Sequence, residues 1–479
     1  MPDYKLKYGD REETISVPIG IECREFAPRA CPPLDNVENA LRRALRNPIG
    51  AAPLMEAARG KKNLVVIVSD HTRKCRYDAT LPVLFDELTR VAKIPAQAIT
   101  ILVATGTHRF MTDAELAAHL GTEIVKKYKI VQHDGSDSGK MKRCGKTTRG
   151  TIIYYNPVAF EADFIILTGS ITYHYFAGFT GGRKALFPGV AARESIIQNH
   201  SLCIDPETGF FHDRVRPGSL LGNPVHEDML DAAGELRPDF LMDVVLTPSG
   251  GIAGVFAGDF SYAHRVGCQF VEDFYGIVVG GRENPYADIA IASAGGYPRD
   301  INFYQTHKSL VNGTNLLNPD GGQLVLLAEC REGLGHPVFE DWKEFKTADT
   351  VRLRLQNKYS PLGHLILSLR TRAEKHKIYL VSSLPDEEVR SLGLIPAKTA
   401  GQAMGMIFSK VRPPFPPITI MPYASLATPI RPSDRVGITA KEMTKYYDEF
   451  DKSAEEPDEI EIDDGDSNTS ELARKIFGG

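Results

Sequence analysis

The chain has no apolar run approaching the ~18 residues a membrane helix needs. It has no CxxC pair, and its seven cysteines (Cys23, Cys31, Cys75, Cys144, Cys203, Cys268 and Cys330) are scattered and odd in number. That pattern argues against a disulfide framework and a structural zinc site, and reads as idle thiols in a reducing compartment. The opening MPDYKLKYGDREETISVPIG holds neither the apolar stretch nor the small-residue cleavage site of a secretory signal, so a soluble cytoplasmic protein is expected. No basic run is dense enough to suggest nucleic acid. No GxGxxG follows a strand-like segment, which disfavours a dehydrogenase using free NAD.

What remains is ordinary globular composition, with 42% apolar and 24% charged residues. A length of 479 residues allows two to four domains at ~100–200 residues each. The net charge of −5 is uneven: residues 448–466 carry eleven acids against one lysine, so the rest of the chain is net positive by five. A mildly basic body suits a small anionic ligand, and 448–479 reads as a solvated acidic tail.

From about residue 60 the chain alternates apolar run, polar loop and helical pattern. NLVVIV (63–68), ITILVA (99–104) and FIILT (164–168) are continuous apolar runs, as expected of strands buried on both faces. Thr112 with Glu115 reads as a capping box. A second series of the same kind starts near residue 287. The expected fold is α/β, with two α/β domains of mostly parallel strands, 1–275 and 276–447, and a cleft between them. In open α/β sheets, ligands bind beyond the carboxyl ends of the strands, which is where this chain concentrates its titratable residues.

The segment GFTGGRKA (178–185) invites comparison with a P-loop, GxxxxGK[ST], but Arg183 stands where Gly belongs and Ala185 where the Mg²⁺-binding hydroxyl belongs. What survives is a glycine-rich turn, with Gly178, Gly181, Gly182 and Gly189, that admits close backbone approach beside Lys184. His108, His174 and His200 follow strand-like segments in loops or a helix; no HxH or HxxxH pair forms a protein-built metal cage, but one histidine could serve as a lone ligand to a cofactor-held metal. His133-Asp134 is either an orienting pair or a turn. After the first strand, SDHTR supplies Asp70, Thr72 and Arg73, the last a planar fork suited to a carboxylate. Gln305 and Lys308 share a helix face, with Tyr304 beside them.

Taken together, SDHTR (69–73), GTHR with MT.AE (106–115), HD (133–134), H..AGFTGGRKALFPG (174–189), ES....H (194–200), FAGD (256–259) and GGYP.D...YQ..K (295–308) resemble the lactate racemase family, the enzymes that use a nickel-pincer nucleotide. The resemblance runs from about residue 10 to 420. It implies racemisation or epimerisation of a small anionic 2-hydroxy acid: lactate, malate, an aryl or alkyl hydroxy acid, or an aldonate. It also implies a pyridinium-3-thioamide-5-thiocarboxylic acid mononucleotide carrying nickel, attached covalently at Lys184 and supplied by cofactor-biosynthesis proteins. By the same resemblance His200 is the nickel ligand, and His108 and His174 are the acid/base pair. Arg73, Gln305 and Lys308, with Tyr304, are the substrate contacts, while Asp70, Thr72, Gly181 and Gly182 lie near the cofactor. The sequence departs from the usual pattern at Lys74, Tyr173 and Arg183, where Pro, Pro and a small residue are more often found. The alternative reading is a non-catalytic anion- or cofactor-binding protein of the same fold, although binding alone does not require two bases.

Overall fold

The structure, a computed structural model, describes residues 3–411 and 413–437. The acidic tail and the closing ELARKIFGG lie outside the described residues. The chain forms two compact units: one is built from Ala30–His200 and Leu220–Val271, the other from the chain up to Arg29, Ser201–Ser219 and Glu272–Arg435.

The first unit is organised on a six-stranded sheet. Its strands are β1 (Leu64–Ser69), β2 (Ile99–Ala104), β3 (Lys129–Gln132), β4 (Phe164–Ser170), β5 (Phe240–Leu246) and β6 (Ile252–Gly258), in the order β6-β5-β4-β1-β2-β3. All neighbours are parallel except β5 and β6. The apolar runs pair in register, Leu64 with both Ile99 and Phe164, and Leu64 to Val68 are buried at every position. Both faces are therefore covered, as a parallel sheet requires. Val66, Val68, Ile101 and Ile166 pack against Leu41, Leu45, Leu81, Leu84 and Leu116, each such leucine stabilising the unit by about 1.5–3 kcal/mol. The capping box forms as expected, with Thr112 Oγ1 accepting from the Glu115 amide and Glu115 accepting from the Thr112 amide.

The connectivity matters for function. From β1 the chain runs outward to β2 and β3, then returns to lay β4 against the other side of β1. The loops leaving β1 and β4 diverge, and a crevice at such a reversal is where open α/β sheets bind ligands.

The second unit carries its own six-stranded parallel sheet. Its strands are β7 (Ile289–Ser293), β8 (Gln323–Leu327), β9 (Lys377–Val381), β10 (Ile395–Ala397) and β11 (Ile418–Met421), with Cys23–Glu25 pairing parallel to β11 at the edge. Here too the order reverses, between β7 and β11. Among the described residues no helix is long and apolar enough to cross a membrane.

Candidate active site

In the first unit the loops after β1, β2 and β4 carry Asp70, Thr72, Arg73, His108, His174, Gly181, Gly182 and Lys184. His200 lies near the end of α1 (Arg193–Ser201) in the same unit.

Asp70 is buried at 2% exposure at the end of β1. Its Oδ1 accepts from the Thr72 amide at 3.2 Å and the Thr72 hydroxyl at 2.6 Å, and its Oδ2 lies 2.6 Å from His108 Nδ1. Burial pushes the carboxyl pKa up, but the hydrogen bonds from His108 and Thr72 outweigh it and hold the group below its ordinary value. An ionised carboxylate can only accept, so Nδ1 of His108 carries a hydrogen. In the neutral ring this leaves the lone pair on Nε2. His108 joins the sheet end through a tight turn: Gly106, at φ +58°, donates its amide to Gly189 O at 2.9 Å.

His133 and Asp134 form a turn. Asp134 accepts from Ser136, while the buried His133 ring sits between Ala191 O and the Asn156 amide. Burial pushes the His133 pKa down to about 4.

After β4, Tyr173–His174 pairs back on Gly178–Phe179, and the chain then makes its glycine turn. Gly181 and Gly182 have φ of +75° and +56°. A Cβ on Gly181 would sit 2.4 Å from Asp243 Oδ2, and one on Gly182 would sit 2.5 Å from His264 Cγ. Asp243 holds the turn by accepting the Gly182 amide at 2.6 Å. The turn needs glycine for conformation and for space. Gly182→Ala is expected to cost about 2–5 kcal/mol, the left-handed penalty plus overpacking. Urea unfolding checks this, and an unchanged midpoint would show that the turn is not so constrained.

A short 3₁₀ turn, Gly182–Ala185, then presents Lys184. Its Nζ stands 5.6 Å from the centre of the Phe176 ring. Burial lowers the Lys184 pKa well below its ordinary value, and Arg183 and Arg73 lower it further. The Phe176 ring also meets His174 edge-on at 4.5 Å and His200 at 5.0 Å. Phe176 thus brings Lys184, His174 and His200 around one ring. His174 is likewise pushed well below its ordinary pKa, first by burial and then by the charges of Lys184, Arg73, His200 and Arg183. Its Nδ1 accepts from the Ala177 amide at 3.2 Å, so the neutral ring bears its hydrogen on Nε2. The two candidate acid/base histidines therefore stand in opposite tautomers.

His200 Nδ1 lies 3.1 Å from Asn199 Oδ1. The Asn199 amide is oriented by donating to Val225 O and Asp228 Oδ2 at 3.1 and 2.9 Å, which turns its oxygen to the imidazole and puts the hydrogen on Nδ1. Nε2 is then the nitrogen with a lone pair for a metal, the usual arrangement around a ligating histidine. Among the described residues no three His, Cys, Asp or Glu side chains gather as a metal cage, so a metal on His200 needs donors from a cofactor. A lysine set among cations, together with one oriented imidazole, fits a covalently tethered anionic nucleotide that supplies those donors.

Tyr304, Gln305 and Lys308 belong to the second unit, on α2 (Phe303–Asn315). The helix is capped by Asn302, which accepts from the Gln305 amide at 3.0 Å. Its buried side takes Phe303, Thr306, His307 and Leu310. Gln305 is exposed, Tyr304 and Lys308 are half-buried, and Tyr304 stacks on His336 at 5.0 Å.

Sequence reasoning passed over Phe176, Asn199, Asp243 and His264. Phe176 and Asn199 adjoin assigned histidines, and an aromatic inside a polar loop was the available signal. Asp243 and His264 lie in apolar segments far along the chain, where nothing local marks them.

The chain matches the family model for the lactate racemase N-terminal domain over residues 8–210 and that for the lactate racemase C-terminal domain over 282–422. It is 36% identical over 373 residues to the lactate racemase of Thermoanaerobacterium thermosaccharolyticum, covering 77% of this chain and 84% of that protein. It is 35% identical over 385 residues to the lactate racemase of Lactiplantibacillus plantarum, covering 78% and 86%. Its structure is similar to that of the T. thermosaccharolyticum lactate racemase apoprotein, with a TM-score of 0.78 at 33% identity over 90% of this chain and all of that one. A Thermotoga maritima protein shares the fold at a TM-score of 0.56 and 15% identity, covering 82% of this chain and 97% of that chain.

Proposed function

Since this chain belongs to the lactate racemase family and is an isomerase, we propose that it racemises or epimerises a 2-hydroxy acid, with lactate the first candidate. The observation that carries this reading is the gathering of Lys184, His174 and His200 around the Phe176 ring, in the unit that also aligns His108 on Asp70.

The C2 hydrogen of a 2-hydroxy acid is barely acidic beside a carboxylate, so inversion is easier by hydride removal coupled to loss of the hydroxyl proton. The nickel-pincer nucleotide, joined to Lys184 with His200 as its nickel ligand, supplies the hydride acceptor when bound. Asp70, Thr72, Gly181 and Gly182 lie in the loops that would meet it.

The chain's own residues do the rest. His108, its Nδ1–H directed at Asp70, takes the hydroxyl proton at Nε2. His174 donates its Nε2–H as a hydrogen bond to the same oxygen, and the proton held on His108 returns to that oxygen once the carbonyl has turned over and the C2 hydrogen is restored. Arg73 pairs with the substrate carboxylate through its guanidinium fork, and the family resemblance assigns Tyr304, Gln305 and Lys308 to the same anion. A cytoplasmic setting, with cofactor-biosynthesis proteins as partners, belongs to the same proposal.

The test is expression with and without the cofactor pathway. The loaded chain should gain a covalent adduct of a few hundred daltons on Lys184, near-stoichiometric nickel, and chiral interconversion of at least one acid in a panel of lactate, malate, aryl and alkyl hydroxy acids and aldonates. An adduct on another residue overturns the cofactor assignment. A loaded chain that interconverts the enantiomers or epimers of no panel member is a carrier, which overturns the catalytic one.

A further inference from the structure

A chain of buried polar side chains leads away from His200. Its Nδ1 faces Asn199 Oδ1 at 3.1 Å. Both hydrogens of the Asn199 amide are committed elsewhere, one to Val225 O at 3.1 Å and one to Asp228 Oδ2 at 2.9 Å. Asn199 is fully buried and Asp228 is 1% exposed. Asp228 also accepts from the Thr151 hydroxyl at 2.8 Å on the same oxygen, and from the Thr147 hydroxyl at 2.5 Å on the other. Thr147 Oγ1 accepts from the Thr151 amide at 2.9 Å, which turns its own hydrogen toward the carboxylate.

Other contacts hold the backbone in place. Ser195 Oγ donates to Ile152 O at 2.7 Å and Gln198 Oε1 accepts from the Ile152 amide at 3.0 Å, so α1 is fastened to the strand Ile152–Tyr155 without Asp228. Asp228 lies on the helix Pro224–Leu236, which Asn223 caps by accepting from the Val225 and His226 amides. What Asp228 controls is the direction of the Asn199 amide. Reversed, that amide would set its oxygen against the Val225 carbonyl and the Asp228 carboxylate, losing two buried hydrogen bonds, and would point its NH₂ at the imidazole. A bond to a carboxylate is the stronger kind, so Asp228 is the main lock. The imidazole hydrogen is thereby kept on Nδ1, whereas free histidine prefers it on Nε2.

We propose that Asp228 is a positioning residue for nickel: by fixing the Asn199 amide it keeps the hydrogen of His200 on Nδ1 and so presents Nε2 to the metal. The proposal rests on His200 as the nickel ligand, and its test separates the two.

The first measurement uses the full-length apo chain carrying ¹⁵N-histidine at alkaline pH, where imidazoles are neutral. Two-bond proton–nitrogen correlation spectra show which nitrogen bears the hydrogen, the His200 signals being identified by their loss in His200→Ala. In the wild type it should be Nδ1. Asp228→Leu, similar in shape but without an acceptor, should move it toward Nε2, and so should Asn199→Leu. Thr151→Val removes a different hydrogen bond to the same carboxylate and should leave the hydrogen on Nδ1. The second measurement is nickel loss from the loaded chain into excess EDTA, with intact mass confirming equal adduct on Lys184. Asp228→Leu and Asn199→Leu should lose nickel about 10–100-fold faster, the size of the affinity lost with a ligand's hydrogen-bond partner. Thr151→Val should match the wild type.

A wild-type His200 with its hydrogen on Nε2 overturns the proposal, a result that needs no variant to fold. So does a hydrogen that stays on Nδ1 in folded Asp228→Leu, or nickel loss at the wild-type rate in that variant. A Thr151→Val chain that behaves like Asp228→Leu overturns it too, since the effect would then come from loosening the cluster. His200→Ala separates the two readings. Wild-type nickel retention there would end His200 as the ligand, whereas nickel lost by His200→Ala and kept by Asp228→Leu would end the role of Asp228 alone.

Discussion

Asp70→Asn is expected to reduce turnover of the loaded enzyme by up to about 10⁴-fold, as much as a catalytic imidazole loses when its orienting carboxylate becomes an amide. The amide can present its NH₂ to His108 Nδ1, which would move the ring hydrogen to Nε2 and remove the base. His108→Ala removes the same base outright and should cost about 10²–10⁴-fold, and the double substitution should be no worse than the poorer single one, since the two residues act as a unit. His174→Ala should cost a comparable factor on its own. Chiral separation of product from each pure enantiomer, with intact mass confirming equal adduct on Lys184, is the measurement. Turnover unchanged in His108→Ala and His174→Ala would end the two-histidine reading. Additive losses for Asp70 and His108 would mean that the carboxylate serves the cofactor rather than the imidazole.

Mild acid is expected to destabilise the chain well before its carboxylates titrate. His133 and His264 are pushed down to about 4 and about 3 by burial, and His226 is pushed well below its ordinary value for the same reason. Unfolded, each would take a proton near pH 6.5. Below that pH the unfolded state binds protons that the folded state refuses, so stability falls as pH falls, by up to about 1.4 kcal/mol per unit for each histidine. His174 is depressed in the same way, while Asp243, raised to about 7, takes up its proton in the folded state and offsets one ring; the loss for each further ring is a sizeable part of the ~5–15 kcal/mol a domain has. Asp70 works the other way. Held below its ordinary value, it contributes stability above the usual carboxylate range and loses it only under more acid conditions, so it plays no part near pH 6. Urea midpoints at pH 7, 6 and 5 should fall, and His133→Gln should make the fall shallower by up to about 1.4 kcal/mol per pH unit. A midpoint that holds from pH 7 to 5 would show that these rings accept protons in place.

Much of the architecture was legible in local pattern. LVVIV, ITILV and FIILT are apolar on consecutive positions, and only a strand covered on both faces tolerates that. The run at 169–203 was legible as a candidate site because glycines cluster there beside histidines and a lysine. The partners of those residues were not legible. Nothing near Cys23 signals that it pairs with Ile418, and nothing near Asp70 signals that its partner lies 38 residues away. Nothing local marks Arg183 as an interior residue, yet among the described residues it is the bulkiest of the fully buried side chains, its guanidinium hydrogens taken by the Ala177 and Gly181 carbonyls of its own loop while His264, from far along the chain, lies against it.

Read alone, the amino-acid order determined the element types, their succession and the family, since periodicity, glycine placement and motif spacing are local properties that burial imposes residue by residue. The folded arrangement alone decided which nitrogen of each histidine bears its hydrogen, which glycines have no room for a methyl group, and which cation is buried in the glycine turn. Those features depend on the order of strands in the sheet. That order is set by how whole apolar faces cover one another, an energy summed over segments far apart in the chain that no short window contains.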